Sequence, residues 1–242
     1  MRSRYPSSST LAYSFGPGPW TPAIKAIIIA NVVMFVATSV VRQLEVPLWL
    51  NPQDVIHGQV WRLVTYMFVH AGVFHILFNM LSLWMFGVEL ERMWGTRYFL
   101  KFYFITGLAA GLTTILVSLI PLSIFDQLYY SRTVGASGAV VAVLLAYAMY
   151  FPNRPILMYF IFPIPAKYFV AIMGAISLMS GGNVAHATHA GGALAGYLYL
   201  KGGRIHLLSE INYRYLKWKI NRSKRRFDVY SGGRKDVDRR VH

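Results

Sequence analysis

Residues 133–143 read TVGASGAVVAV. Gly135, Ser137 and Gly138 open an apolar run that extends from about Ala136 to Phe151 and is ended by PNRP. An uncharged run of this kind reads as a helix in a membrane. A serine hydroxyl ringed by glycine at its mouth is what the rest of the chain has to explain.

Composition sets the setting. The 242 residues are 55% hydrophobic and only 14% charged, with a mean hydropathy of +0.43. Soluble domains carry about 25% charged residues, so this is the composition of a membrane protein. There are no cysteines, which excludes disulfides, thiolate metal sites and a cysteine nucleophile. The net charge of +15 is concentrated: residues 201–242 hold 13 of the 24 Lys and Arg. A basic tail directly after an apolar span is a topology and lipid-headgroup signal. The expected partners are therefore anionic headgroups, and no nucleic acid is expected.

Six apolar spans are predicted. They run from about Ala23 to Val41, Phe74 to Leu90, Phe99 to Ile120, Ala136 to Phe151, Tyr168 to Met179 and Ala187 to Leu200. The first is too long for a signal-peptide core of about 7–15 residues. Residues 42–72 are mixed in polarity and hold Trp49, Trp61, Tyr66 and Phe68, so they read as an interfacial loop with short helices of its own. The stretch ILMYFIFPIPAK, broken by Pro163 and Pro165, reads as an interfacial hairpin or as the start of the fifth span. Basic residues precede span one and follow spans two, four and six, which places both termini in the cytoplasm. The chain thus divides into a flexible cytoplasmic N-terminus (1–22), a six-helix domain (23–200) and a basic cytoplasmic tail (201–242).

With that topology, spans two, four and six begin at one membrane face. Span two begins HAGVFHILFNM, with His70, His75 and Asn79; span four begins GASG, with Ser137; span six begins NVAHATHAGGALAG, with His186 and His189. His75 and Asn79 are four apart and share a helix face. Polar groups at membrane depth are costly unless paired or functional. A serine with a histidine partner is the minimum for an activated nucleophile. The Ser137 N–H, in a first helical turn without an intrahelical acceptor, and the His75 and Asn79 side chains would supply oxyanion donors. No Asp or Glu lies near these helix starts, which favours a dyad over a triad. Gly192 and Gly196 form a GxxxG pair that permits close contact with the small face Ala136, Ala139 and Ala142. Gly107 and Gly111 repeat that spacing without a chemical role.

These residues resemble the rhomboid family of intramembrane serine proteases. The resemblance covers about Ile24 to Leu200. It rests on Trp61–Arg62, HILFN at His75–Asn79, GASG at Gly135–Gly138 and AHATHAGGALAG at Ala185–Gly196, in the expected order. It implies an all-α, six-transmembrane-helix bundle with a membrane-embedded first loop, and a cofactor-free and metal-free endopeptidase. Ser137 would be the nucleophile, His189 the general base, and His75 and Asn79 oxyanion donors with the Ser137 N–H. Gly135 and Gly138 would shape the site, and Gly192 and Gly196 the packing. The substrates implied are membrane-anchored proteins, cut in or near a transmembrane segment. Many members carry Tyr or Phe four residues after the serine, packed on the histidine. Here that position is Val141, which bears on the orientation of His189.

Plainer readings stand beside these. Ser137 alone would be a small helix-contact residue. His70 is expected to be structural, His186 to line the cavity, Trp61 and Arg62 to anchor the loop, and Glu89 and Arg92 to pair with each other. A non-catalytic member of the same fold would bind transmembrane helices. A transporter would use His70, His75, His186 and His189 as metal ligands, although all four cluster at one end of the spans. The compact core points to a bacterial inner membrane.

Overall fold

The structure, a computed structural model, describes residues 16–158, 162–180 and 183–202. The first fifteen residues and the basic segment from 203 onward lie outside the described residues. In chain order the elements are α1 (Pro22–Val40), α2 (Pro52–Ile56), α3 (Arg62–Thr65), α4 (Val73–Trp94), α5 (Thr96–Ser118), α6 (Asp126–Tyr129), α7 (Ser137–Tyr150), β1 (Pro155–Met158), β2 (Phe162–Pro165), α8 (Ala166–Ser180) and α9 (Asn183–Gly202). The chain is a mostly helical membrane protein.

α1, α4 and α5 are long and apolar enough to cross a membrane. At about 1.5 Å per residue, their 19, 22 and 23 residues reach the hydrocarbon thickness of about 30 Å. α7 and α8, with 14 and 15 residues, are shorter. α9 has 20 residues but carries two histidines and a run of small residues. All six helices stand where apolar spans were expected. Length and composition alone qualify three of them.

α1 begins at Pro22, where a missing N–H leaves nothing unsatisfied. One stripe of α1, including Ala23, Ile24, Ile27 and Ile28, is buried, while Val32, Val33, Val36 and Val40 are exposed. That is the division expected of a helix with protein on one side and lipid on the other. Opposite the N-terminal ends of α4 and α7, Glu91 is buried and accepts from the backbone N–H of Ala23 (2.9 Å) and Ile24 (3.1 Å) and from the Thr96 hydroxyl (2.7 Å). The Thr21 hydroxyl donates to it as well. One carboxylate of α4 thereby caps α1 from outside and holds the start of α5.

Residues 42–72 form an irregular loop with short helices, as the mixed sequence predicts. Asn51 caps α2, its side chain accepting from Asp54 N–H (3.1 Å). Arg62 is buried at the centre of the loop. Its guanidinium donates to Val46 O and Trp49 O (both 2.7 Å) and to Gln59 (2.7 Å), and pairs with Asp54 (3.1 Å). Trp61 donates to Pro47 O (2.9 Å). Both residues anchor the loop. Tyr66 then ties the loop to α5 through its hydroxyl, which donates to Gly107 O (2.7 Å).

Between α7 and α8, β1 and β2 pair antiparallel, Pro155 opposite Pro165 and Met158 opposite Phe162. Of the two readings of this stretch, the hairpin is the one found. Glu89 and Arg92 do not pair with each other. Glu89 faces Arg154 at the start of the hairpin. Arg92 donates to Pro17 O (2.6 Å) and Pro19 O (3.0 Å). Three-residue spacing made the pair sterically possible, but each side chain found a partner distant in sequence.

Candidate active site

The site is built on the contact between α7 and α9. A Cβ added at Gly192 would lie 2.0 Å from the carbonyl oxygen of Gly138, and one added at Gly196 would lie 3.0 Å from the Ala142 Cβ. The two helices therefore meet nearly backbone to backbone, as the small-residue pattern predicts. They run parallel, so their first turns lie side by side. This is how two residues 52 apart in sequence come together: His189 Nε2 lies 2.8 Å from Ser137 Oγ. With the ring proton on Nδ1, Nε2 accepts from the serine hydroxyl.

Behind His189, the hydroxyls of Thr188 and Thr114 are 2.7 Å apart in a buried contact, and Gly191 leaves room for Thr113. These contacts fix α9 against α5. Thr188 stands inside the quoted AHATHAGG motif, but its partner is 74 residues away. Spacing gave no signal of it.

The first turn of α4 supplies the third wall. Gly135 has φ +111°, and a Cβ there would sit 2.6 Å from the His75 ring. Only glycine meets both conditions: the backbone is left-handed and the imidazole fills the space of a side chain. The Gly135 N–H donates to Tyr66 O (2.9 Å), so the loop of residues 42–72 also sets the approach to Ser137. His75 Nδ1 accepts from the Ala71 N–H (3.3 Å). Asn79 is buried, and its amide donates to His75 O one turn back (2.8 Å). Ser137 is the first residue of α7, where a backbone N–H has no partner within the helix.

His70 is buried beside this cluster, its ring edge-on to His75 at 5.1 Å between centroids. Burial, aided by the nearby His75, pushes its pKa down to about 4. Among the described residues, no three His, Asp or Glu side chains converge as a metal-binding group.

Beside His189, a cavity of about 240 Å³ lies between α7, α8 and α9. Val141 and Leu144 of α7, Met173 and Gly174 of α8, and His186 with His189 of α9 are in its wall. Val141 is the α7 residue directly below Ser137 on the same helix face. A larger side chain there would fill part of this space.

Convergent helix starts in a helical membrane protein, holding a hydrogen-bonded Ser–His pair, define the class. The sequence profile of the rhomboid domain matches residues 57–203, more than half of the chain, and the protein belongs to the rhomboid family. It is 31% identical over 195 residues to the mitochondrial rhomboid-like protein 14 of Arabidopsis thaliana, covering 76% of this chain and 57% of that one. It is 32% identical over 139 residues to the mitochondrial rhomboid protein 1 of Saccharomyces cerevisiae, covering 54% and 38%. To the rhomboid protease GlpG of Salmonella typhi it is 34% identical over 110 residues, covering 45% and 38%. The match thus spans less than two thirds of each of these relatives.

Proposed function

We propose that this protein is an intramembrane serine endopeptidase with a Ser137–His189 dyad, hydrolysing membrane-anchored proteins in or near a transmembrane segment. The observation that carries the reading is the 2.8 Å contact between His189 Nε2 and Ser137 Oγ. At that distance the imidazole takes the hydroxyl proton as Oγ attacks the scissile carbonyl. The tetrahedral oxyanion then forms beside the Ser137 N–H, with His75 and Asn79 side chains as further donors. His189 returns the proton to the leaving amine. Water, deprotonated by the same ring, hydrolyses the acyl-enzyme and releases Ser137.

In this reading the protease domain is residues 23–200, spanning the membrane six times with the loop of residues 42–72 embedded at one face. Both termini are cytoplasmic, and the site opens on the opposite side. The segment of residues 201–242 lies against anionic headgroups. The membrane is a bacterial inner membrane. The chemistry needs no cofactor.

The test is cleavage of a reporter transmembrane substrate by purified protein in liposomes with EDTA present, wild type beside Ser137→Ala. Cleavage that survives the chelator and vanishes in the variant supports the dyad. Equal cleavage by both proteins overturns it. No cleavage of any reporter by wild type turns the reading to the non-catalytic, helix-binding form of the fold. Cleavage lost to EDTA turns it to a metal-dependent one.

A further inference from the structure

We propose that the hydrogen bond between Thr114 and Thr188 is a positioning device for His189: it sets the height of α9 along α7, and so the reach of Nε2 to Ser137 Oγ. The inference deepens the protease reading and rests on it. It starts from what the small residues leave undecided. Gly192 against Gly138 O, and Gly196 against Ala142, bring α7 and α9 close. Contacts between small residues fix separation, but with little side chain to interlock they barely resist one helix sliding along the other. The 2.8 Å contact of His189 with Ser137 tolerates no such slide, since about 1 Å of misplacement costs a reaction on the order of 10²-fold. A directional contact is needed to set the register.

Thr188 supplies it. It is buried directly before His189 in the chain, and its hydroxyl lies 2.7 Å from that of Thr114 on α5. Thr114 donates to Ala110 O one turn back (3.2 Å). With its one proton committed there, it accepts from Thr188. The γ-methyl of Thr188 faces the other way: a Cβ added at Gly138 would lie 3.3 Å from it and 2.5 Å from the Ala110 Cβ. One β-branched side chain, stiff about χ1, thus engages α5 with its hydroxyl and α7 with its methyl. Its neighbour on α9 is His189, and the residue it touches on α7 follows Ser137. Gly191 lets Thr113 close in as well, since a Cβ there would lie 2.5 Å from the Thr113 Cβ. Hydrogen bonds between membrane helices add little to stability on average. The signature of this one is therefore expected in turnover rather than in unfolding.

The test uses the full chain in liposomes. Thr188→Val and Thr114→Val keep the shape and remove one hydroxyl each, and the double variant removes both. Thr188→Ser keeps the hydroxyl and loses the methyl. Thr106→Val is the control, because the buried Thr106 hydroxyl bonds within its own helix, to Phe102 O and Tyr103 O. Two rates are read per folded molecule: turnover of a reporter, resolved into kcat and KM, and modification of Ser137 by a fluorophosphonate, which needs no substrate. Each valine variant is expected to lower kcat and the modification rate roughly 10- to 100-fold with KM unchanged. The double variant should fall no further, because either substitution alone already breaks the bond. Thr188→Ser should recover most of the rate, and Thr106→Val should match wild type. Losses that multiply in the double variant overturn the positioning role, as does an equal loss in Thr106→Val. A Thr188→Ser variant as slow as Thr188→Val overturns it too, since the methyl and not the bond would then matter. So does a Thr188→Val protein that unfolds more easily but turns over at the wild-type rate while folded. If wild type cleaves and the valine variants equal it, the positioning role alone fails. If wild type neither cleaves nor reacts with the fluorophosphonate, the protease reading fails and takes this role with it.

Discussion

Glu91 and Ser137 are both polar groups set into an apolar bundle, at opposite ends of α4 and α7, and they are treated differently. Glu91 is surrounded by donors: two backbone N–H groups of α1 and two threonine hydroxyls. Its lone pairs are spent on holding three helices together. Among the described residues, Ser137 Oγ has one strong neighbour, His189 Nε2, at 2.8 Å. Around that pair are groups with hydrogen-bonding capacity to spare. Asn79 uses one amide proton on His75 O and has a second. The Ser137 N–H is at a helix start. Saturation marks a structural polar site; capacity held in reserve, beside a hydroxyl in contact with an imidazole, is what the proposed chemistry requires.

The sharpest way to break this comparison is at the nucleophile. Ser137→Ala is expected to lower cleavage by at least on the order of 10³-fold while leaving thermal unfolding of the purified protein unchanged. If unfolding shifts and cleavage does not, Ser137 belongs with Glu91 as a structural group. Next comes Gly192→Ala. Its Cβ would have to occupy a position 2.0 Å from Gly138 O, so α7 and α9 must separate and the Ser–His contact must lengthen. Cleavage should fall by roughly 10² or more, with the protein still folded by circular dichroism. Full activity would mean the pair does not depend on backbone contact between these helices.

His75→Ala and Asn79→Ala should each cost about 10²-fold in kcat, with KM for the reporter little changed. A KM effect alone would reassign them to substrate holding. Glu91→Ala is the converse experiment. Removing one carboxylate strands four donors, at about 1 kcal/mol or more for each buried one. Thermal stability in detergent should therefore drop by several kcal/mol, while the folded fraction cleaves at close to the wild-type rate. Loss of turnover without loss of stability would place Glu91 in the working machinery.

The smallest effect concerns pH. His70 has a folded pKa near 4 against about 6.5 unfolded. Between those values the unfolded chain binds the proton and the folded chain does not. Stability is fully present above pH 6.5 and is lost as pH falls toward 4. His70→Gln removes the titrating group, so the drop in unfolding temperature between pH 7 and pH 5 should shrink, by the equivalent of no more than about 2 kcal/mol. An unchanged drop would locate the acid sensitivity in other residues.

Much of the candidate site is legible in the sequence, for a physical reason. Each polar group at membrane depth is an exception against an apolar background, so Ser137, His189, His75 and Asn79 stood out. The glycines stood out too, because close helix contact leaves a mark in residue size. Gly192 and Gly196 pointed to a contact that exists with Gly138 and Ala142. Ion pairing was not legible. Glu89 and Arg92 are three apart in sequence, yet flexible side chains at a helix end reach distant partners as easily as near ones. Thr114 with Thr188, and Tyr66 with the Gly107 carbonyl, were equally invisible, since threonine and tyrosine are ordinary residues until something faces them.

The sequence by itself determined that this chain lives in a membrane, where its apolar helices run, and which few side chains are candidates for chemistry. Hydropathy and residue size are properties of single positions and short periods, and they survive without a fold. Only the tertiary structure decided that Ser137 and His189 lie within hydrogen-bonding distance, that Gly135 yields its side-chain space to His75, and that Val141 and Gly174 face the same cavity. Those are distances between helices, set by how backbones pack, and no local pattern encodes them.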